Sequence, residues 1–389
     1  MTESQAPMDD DDVLAMKNFR VVGSHLVSEP IAPKECIMKT GRKKDCYIVD
    51  NNDGTVAQFK CIQADEDASV PFEIGKRIKD AICGDVYTGF KLQVSDDSCY
   101  KRNEMVVIKV ISLQKLDQLK RKGNIQEDPI KEISILQLFN DNSNHVCSQM
   151  DCIRDDKYIY SIMRHYGDEL FNYAGKITEE ECRTYFRQII EGVKELQRFN
   201  VCHRDLSLEN ILLSSDGVCT IIDFGMALLY PTAKPSSLHT IFQSLSSHPK
   251  PHFQSYANDE EHVVLLSPQG TCGKKNYIAP EILSNLHPFN GAMVDNWSLG
   301  VILFMLLTGR PPFQQASSLN KWYRMIQQGK IRDTLNIFKI DHLSDDSVDL
   351  LQKLLTGSNC HSRMAASDIL LHPWLSLSPT NADDSCSGA

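Results

Sequence analysis

Several absences bound this chain before any motif is read. It has 13 cysteines but no paired C-x2-C spacing, which excludes a zinc ribbon or finger. An odd, scattered set of that kind reads as reduced thiols in the cytoplasm or, alternatively, the nucleus. There is no basic excess: the formal net charge is −10, so gripping nucleic acid by its phosphates is a poor assignment. Long hydrophobic runs are missing too. The longest, Leu299 to Leu307, is about half what a bilayer span needs. The opening residues MTESQAPMDDDD hold neither a basic region nor an apolar core, so no secretory signal is expected. No D-x-D-x-D-G loop is present, and direct calcium binding is not indicated. A soluble intracellular protein is the expectation.

What is there is ordinary in bulk and specific in detail. The 389 residues are 42% hydrophobic and 24% charged, enough for one two-lobed domain with extensions or two smaller domains. Residues 1–71 read as a partly disordered N-terminal extension. It carries an acidic cluster (Asp9 to Asp12), a basic cluster (Arg42 to Lys44) and a hairpin pattern, CYIVDNNDGTVAQFKCI, turning near Asp53-Gly54. Its VAQFKCI echoes a later VVIKVI, but no helix with a spaced glutamate follows, so no repeat is read. From Phe72 strands dominate: FEIGKRI, DVYTGFKL, MVVIKVI and, after the helical PIKEISILQLF, YIYSIM.

Helices then take over. Thr178 and Glu181 form a capping-box pattern ahead of Phe186, Ile189, Ile190 and Val193 on one face. WSLGVILFMLL is apolar all round and reads as a buried helix; another begins near Ser344. Strands first and helices later predict an α+β chain. Residues 231–268, rich in Ser, Pro and His, read as a flexible insertion, and 376–389 as a disordered tail.

The chemistry-bearing residues come in one order. Lys109 ends VVIK, and Glu132 follows on the predicted helix, within reach as its ion-pair partner. Asp205 and Asn210 share the loop HRDLSLEN, and Asp223 precedes Phe224-Gly225 after the apolar VCTII. Phosphoryl transfer needs a lysine on the phosphates, a partner for it, a group that receives the hydroxyl and oxygen ligands for Mg2+. With Ala279-Pro280-Glu281, DNWSLG (295–300) and Arg363 ahead of HPWL, the set resembles the eukaryotic protein kinase superfamily, and VILFMLLTGRPPF is similar to its calcium/calmodulin-dependent-kinase-like group.

The resemblance implies a bilobal fold over residues 72–375. Its N-lobe (72–163) would be a small antiparallel sheet with one main helix, its C-lobe (167–375) mostly helical, with residues 231–268 inserted in the activation segment. It implies ATP and Mg2+ as cofactors and transfer of the γ-phosphate to Ser or Thr hydroxyls of protein substrates. Lys109, fixed by Glu132, would contact the phosphates, and Asp205 would receive or orient the hydroxyl. Asn210 and Asp223 would hold the metal. Ile78, Gly84, Val86, Val107, Met163, Glu169 and Leu212 would line the nucleotide, and Glu281 would pair with Arg363. A monomer is expected, with a possible upstream activating kinase near Arg204, Ser267 and Thr271, and no membrane or nucleic-acid partner.

Two departures stand out. The family's G-x-G-x-x-G reads KDAICG (79–84), keeping only Gly84. Ser207 stands where the family carries a lysine, and Lys274 stands where a threonine is common, on the segment that should face it. The two changes together predict a relocated ammonium. A catalytically weak pseudokinase or scaffold is the competing reading, against which stands the retention of Lys109, Asp205, Asn210 and Asp223 together.

Overall fold

A computed structural model of the chain describes residues 37–50, 56–64, 71–94, 100–122, 127–139, 143–229, 254–258, 261–268, 270–357 and 363–376. The acidic cluster at Asp9 to Asp12, the turn at Asp53-Gly54, residues 231–253 of the expected insertion and the tail beyond 376 lie outside the described residues. The chain divides into two compact units. The first is built mainly from residues 57–141 and 148–165, the second mainly from 142–147 and 166–389.

The first unit holds strands β1 (Ile37–Asp50), β2 (Val56–Ala64), β3 (Pro71–Ala81), β4 (Gly84–Val94) and β5 (Tyr100–Ser112), helices α1 (Leu113–Lys122) and α2 (Pro129–Leu136), then β6 (Asp151–Arg154) and β7 (Tyr158–Arg164). The strands close on themselves in the order β1-β2-β6-β7-β5-β4-β3. Pairings β3–β4, β4–β5, β5–β7 and β6–β7 are antiparallel, whereas β2 runs parallel to β6. β1 and β2 fall in the stretch read as an extension, yet they hydrogen-bond to β3 and β6. The VAQFKCI echo is therefore a strand of this sheet.

The period of two along β5 splits its residues between faces. Val106, Ile108 and Val110 pack with Phe72, Ile74, Tyr87, Ile153, Tyr160 and Ile162. Ile111, on the other face, joins Cys83, Leu116, Ile130, Ile133, Cys152 and Ile159 under the helices. Lys109 shares that second face. α1 went unnamed in the sequence because only Leu116 of its residues is buried, too thin an apolar signal to read.

The second unit contains β8 (Asp168–Glu169), α3 (Glu179–Arg198), β9 (Val201–Cys202), β10 (Ile211–Leu213), β11 (Cys219–Ile221) and β12 (Leu228–Leu229), then β13 (Gln254–Asn258) and β14 (Glu261–Leu265). Helices α4 (Pro280–Ser284), α5 (Gly291–Thr308), α6 (Lys321–Gln327), α7 (Ile331–Ile337), α8 (Asp345–Leu355), α9 (Ala366–Leu370) and α10 (Pro373–Ser376) complete it. The capping box forms as its spacing suggests: Glu181 N donates to Thr178 Oγ1 at 3.2 Å, and Thr178 N to Glu181 Oε2 at 2.8 Å.

α5 is the central helix. It is long and apolar enough, by length and composition, to cross a membrane. It is buried from Val294 through Leu307 in this unit's core, which accounts for its composition. The stretch read as a flexible insertion holds a two-stranded hairpin, paired from Gln254↔Leu265 to Asn258↔Glu261. Tyr256, Val263 and Val264 are strand-favouring types whose signal the surrounding Ser and Pro mask.

Candidate active site

In the first unit the sequence builds a cation on a rigid support. Lys109 sits mid-strand in β5, its side chain 9% exposed, with Glu132 Oε2 at 2.5 Å and Glu127 Oε1 at 3.7 Å. Glu132 reaches it because α2 starts at a fixed point. Asp128 caps the helix, accepting from Ile130 N at 2.9 Å and Lys131 N at 3.3 Å, with Pro129 in the first turn. Glu132 lies in that first turn, where the helix dipole also favours a carboxylate.

Four of the residues expected around a nucleotide, Gly84, Val86, Val107 and Met163, share this face. Val86 opposes Lys109 across β4–β5, and Val107 opposes Met163 across β5–β7. Ile78 is half exposed on β3.

The degraded glycine motif has a structural explanation. Lys79 and Ala81 belong to β3 and need no positive φ, so β-carbons are tolerated there. The connection is only Ile82-Cys83. Cys83 is buried against Ile111, Leu116, Ile130 and Ile133, and its carbonyl accepts from Ser112 N at 2.8 Å. Burial pushes the Cys83 thiol up to about 11. Gly84 remains for a steric reason: a β-carbon there would come within 1.9 Å of the Val110 carbonyl oxygen.

The second unit assembles the acid and the oxygen ligands. The loop 203–210 hangs from α5. The buried Asp295 carboxylate accepts from His203 N at 2.7 Å and Arg204 N at 3.0 Å. Burial pushes Asp295 up, and the His203 and Arg204 bonds oppose that shift. Asp205 is held on both oxygens. Asn210 Nδ2 donates to Oδ2 at 2.9 Å and to the Asp205 carbonyl at 2.9 Å, and Lys274 N donates to Oδ1 at 3.0 Å.

With both amide hydrogens directed at Asp205, the Asn210 side chain has its oxygen to offer a cation. Ile222 N donates to Asn210 O at 2.9 Å, which ties Asn210 to the strand end that carries Asp223. Asp223 adopts φ +68°, a left-handed conformation that aspartate tolerates better than most residues. Leu212 and Glu169 are register partners across β8–β10.

Among the described residues no cluster of three or more His, Cys, Asp or Glu could hold a metal alone. Asn210 and Asp223 would offer two oxygen ligands. That suits Mg2+, which completes its shell with water and substrate phosphates, and does not suit an ion that needs a full protein cage.

The Glu281–Arg363 pair forms at 2.8 Å, with the Arg363 side chain fully buried. Ser207 and Lys274 come together as well: Lys274 Nζ donates to Ser207 Oγ at 2.7 Å and lies 3.5 Å from Asp205 Oδ2. Three contributors escaped the sequence reading. Asp295 was seen only as part of a helix start, although a lone carboxylate in an apolar run signals a buried acceptor. Tyr277 was not singled out; its Oη accepts from Leu208 N and donates to Glu209 Oε2, both at 3.4 Å. Glu127, five residues before Glu132, gave no periodic signal.

The lysine–glutamate pair on the sheet of the first unit and, in the second, the aspartate–asparagine loop with its following carboxylate each fit a domain of the protein kinase class. Comparison with known proteins agrees: the protein kinase domain family model matches residues 93–375, and the chain belongs to that family. It is 30% identical over 325 residues to the probable serine/threonine-protein kinase fhkD of Dictyostelium discoideum, covering 78% of this chain and 38% of that one. It is 28% identical over 298 residues to the serine/threonine-protein kinase PLK4 of Drosophila willistoni, covering 74% of this chain and 31% of that protein. PLK4 of Drosophila virilis matches at 28% over 289 residues, 71% of this chain and 30% of that one. The chain thus spans about a third of the length of these curated relatives.

Proposed function

We propose that the chain is an active protein serine/threonine kinase that moves the γ-phosphate of ATP to Ser or Thr hydroxyls of proteins. The observation that carries this reading is the grip on Asp205. Both of its carboxylate oxygens are fixed by neighbouring donors, leaving lone pairs for an incoming hydroxyl. Lys109 binds phosphate oxygens while Glu132 holds it in place. Asn210 and Asp223 would hold Mg2+, which would supply positive charge to the phosphates when bound.

Serine/threonine preference draws on the similarity to fhkD and PLK4, both named serine/threonine-protein kinases. The finer likeness to the calcium/calmodulin-dependent group rests on the text VILFMLLTGRPPF alone. Glu209, an expected contact for a basic substrate residue, already accepts from Tyr277, which weakens a strict basic requirement. The scaffold reading gains nothing from the geometry, since a scaffold has no need for the Lys109–Glu132 pair together with a doubly held Asp205. Control by an upstream kinase near Arg204 and a monomeric, cytoplasmic state complete the proposal.

Purified protein incubated with Mg·ATP and a degenerate peptide library should yield phosphoserine and phosphothreonine. Asp223→Ala should lower the rate by about 10³-fold. Wild-type protein that binds ATP yet transfers no faster than Asp223→Ala would refute the reading.

A further inference from the structure

We infer that Lys274, on the segment leading into Ala279-Pro280-Glu281, is the catalytic cation of the transfer step, replacing the lysine that the catalytic loop lacks at Ser207. The inference rests on the kinase reading above and deepens it.

Five observations converge on one residue. Ser207 is fully buried, and its hydroxyl, which burial obliges to find a partner, meets Lys274 Nζ at 2.7 Å. The same ammonium lies 3.5 Å from Asp205 Oδ2. The backbone N–H of Lys274 donates to the other Asp205 oxygen at 3.0 Å, so one residue holds the carboxylate from two sides. Gly273 permits the approach. It adopts φ +92°, and a β-carbon there would come within 2.7 Å of Arg204 O and 3.4 Å of Asp205 Oδ1. The turn that follows is closed by Tyr277 N and Ile278 N on Lys274 O, at 2.8 and 3.2 Å, and Tyr277 Oη reaches the catalytic loop at Leu208 and Glu209.

Lys275 is the internal contrast. It is exposed and makes no ion pair among the described residues, as a solvated loop lysine would. An ammonium has three N–H donors. Ser207 takes one and Asp205 faces a second, leaving the third for a phosphoryl oxygen.

In the step, the substrate hydroxyl oxygen bonds to the γ-phosphorus. The bond from that phosphorus to the β–γ bridging oxygen breaks, its electron pair leaving with ADP, and the hydroxyl proton passes to Asp205. Lys274 keeps all its protons and contributes charge beside the transferred group, where a fixed cation is worth most. Because this charge sits beside the residues that lead into Glu281, displacing 273–277 removes a catalytic group at the same time.

The test measures kcat at saturating Mg·ATP on a degenerate serine/threonine peptide library, together with the Kd for Mg·ATP and thermal melting. Lys274→Met should lower kcat by about 10²-fold while Kd moves less than about threefold. Lys274→Arg should retain more activity than Lys274→Met, since the charge is kept. The swap Ser207→Lys with Lys274→Thr should exceed Lys274→Thr alone by about tenfold or more. Should Lys274→Met melt early, the swap decides, because it keeps a lysine and a hydroxyl facing each other. A Lys274→Met enzyme within about threefold of wild-type kcat, or a swap no better than Lys274→Thr alone, overturns the inference. If Asp223→Ala is inactive in those same assays, only the role of Lys274 falls. If wild type is no faster than Asp223→Ala, the kinase reading falls with it.

Discussion

Lys109 and Lys274 carry the same charge on opposite kinds of support. Lys109 rises from the middle of a strand, 9% exposed, facing carboxylates at 2.5 and 3.7 Å. Lys274 rises from a turn, 38% exposed, and meets a neutral hydroxyl at 2.7 Å and a carboxylate at 3.5 Å. The first is fixed by a sheet and a capped helix, so its removal damages fold and chemistry together. The second is fixed by one permissive glycine and a hydroxyl, so its removal should damage chemistry and spare the fold. A buried ion pair with one partner deleted leaves an uncompensated charge, whereas a half-exposed lysine is screened by water.

The sharpest way to break this contrast is at Glu132. Glu132→Ala removes the nearer of the two carboxylates that face the buried Lys109 at 2.5 and 3.7 Å, and should cost about 3 kcal/mol of stability as well as about 10²-fold in transfer rate, read by denaturant melts and kcat. Equal melting of Glu132→Ala and Lys274→Met would erase the distinction. Gly273→Ala comes next: both its positive φ and the Arg204 carbonyl oppose a β-carbon, so a loss of about 2 kcal/mol with about tenfold slower transfer is expected.

Acid sensitivity separates a third region from both lysines. Burial pushes Glu179 up, but hydrogen bonds from Ser344 and Trp374 outweigh it and hold the carboxyl below its usual range. A depressed carboxylate contributes stability that is complete above its unfolded value and lost as pH falls through its folded one. Glu179→Gln should therefore melt earlier at neutral pH and lose less on acidification below about pH 4.5 than wild type. Identical pH–melting slopes would count against it. The smallest effect belongs to Gly217→Ala, where φ is +77° but nothing lies within 4 Å of a β-carbon. It should cost only about 1 kcal/mol and leave transfer unchanged, setting the baseline against which Gly273→Ala is read.

Much of the site was legible because ionisable residues stood in an order that one reaction requires. The pairing of Lys109 with Glu132 and the sharing of one loop by Asp205 and Asn210 could be read before any coordinate, and the facing of Ser207 by Lys274 could be anticipated from two departures at matched places. What stayed hidden depended on packing between segments distant in the chain. The parallel pairing of β2 with β6, the hold of Asp295 on the loop backbone and the plugging of Cys83 into the helix-side core leave no local period to read. Lys79 and Ala81 lie in β3, past a register shift between Arg77 and Lys79, and a two-residue turn joins that strand to β4.

The most direct check is a double-mutant cycle in kcat across positions 207 and 274, using Ser207→Lys, Lys274→Thr and their combination. If one ammonium serves from either wall, the combined variant will transfer phosphate faster than Lys274→Thr alone by about tenfold or more. Losses that simply multiply, with the double variant as slow as the product of the singles, would show that Lys274 carries no relocated charge.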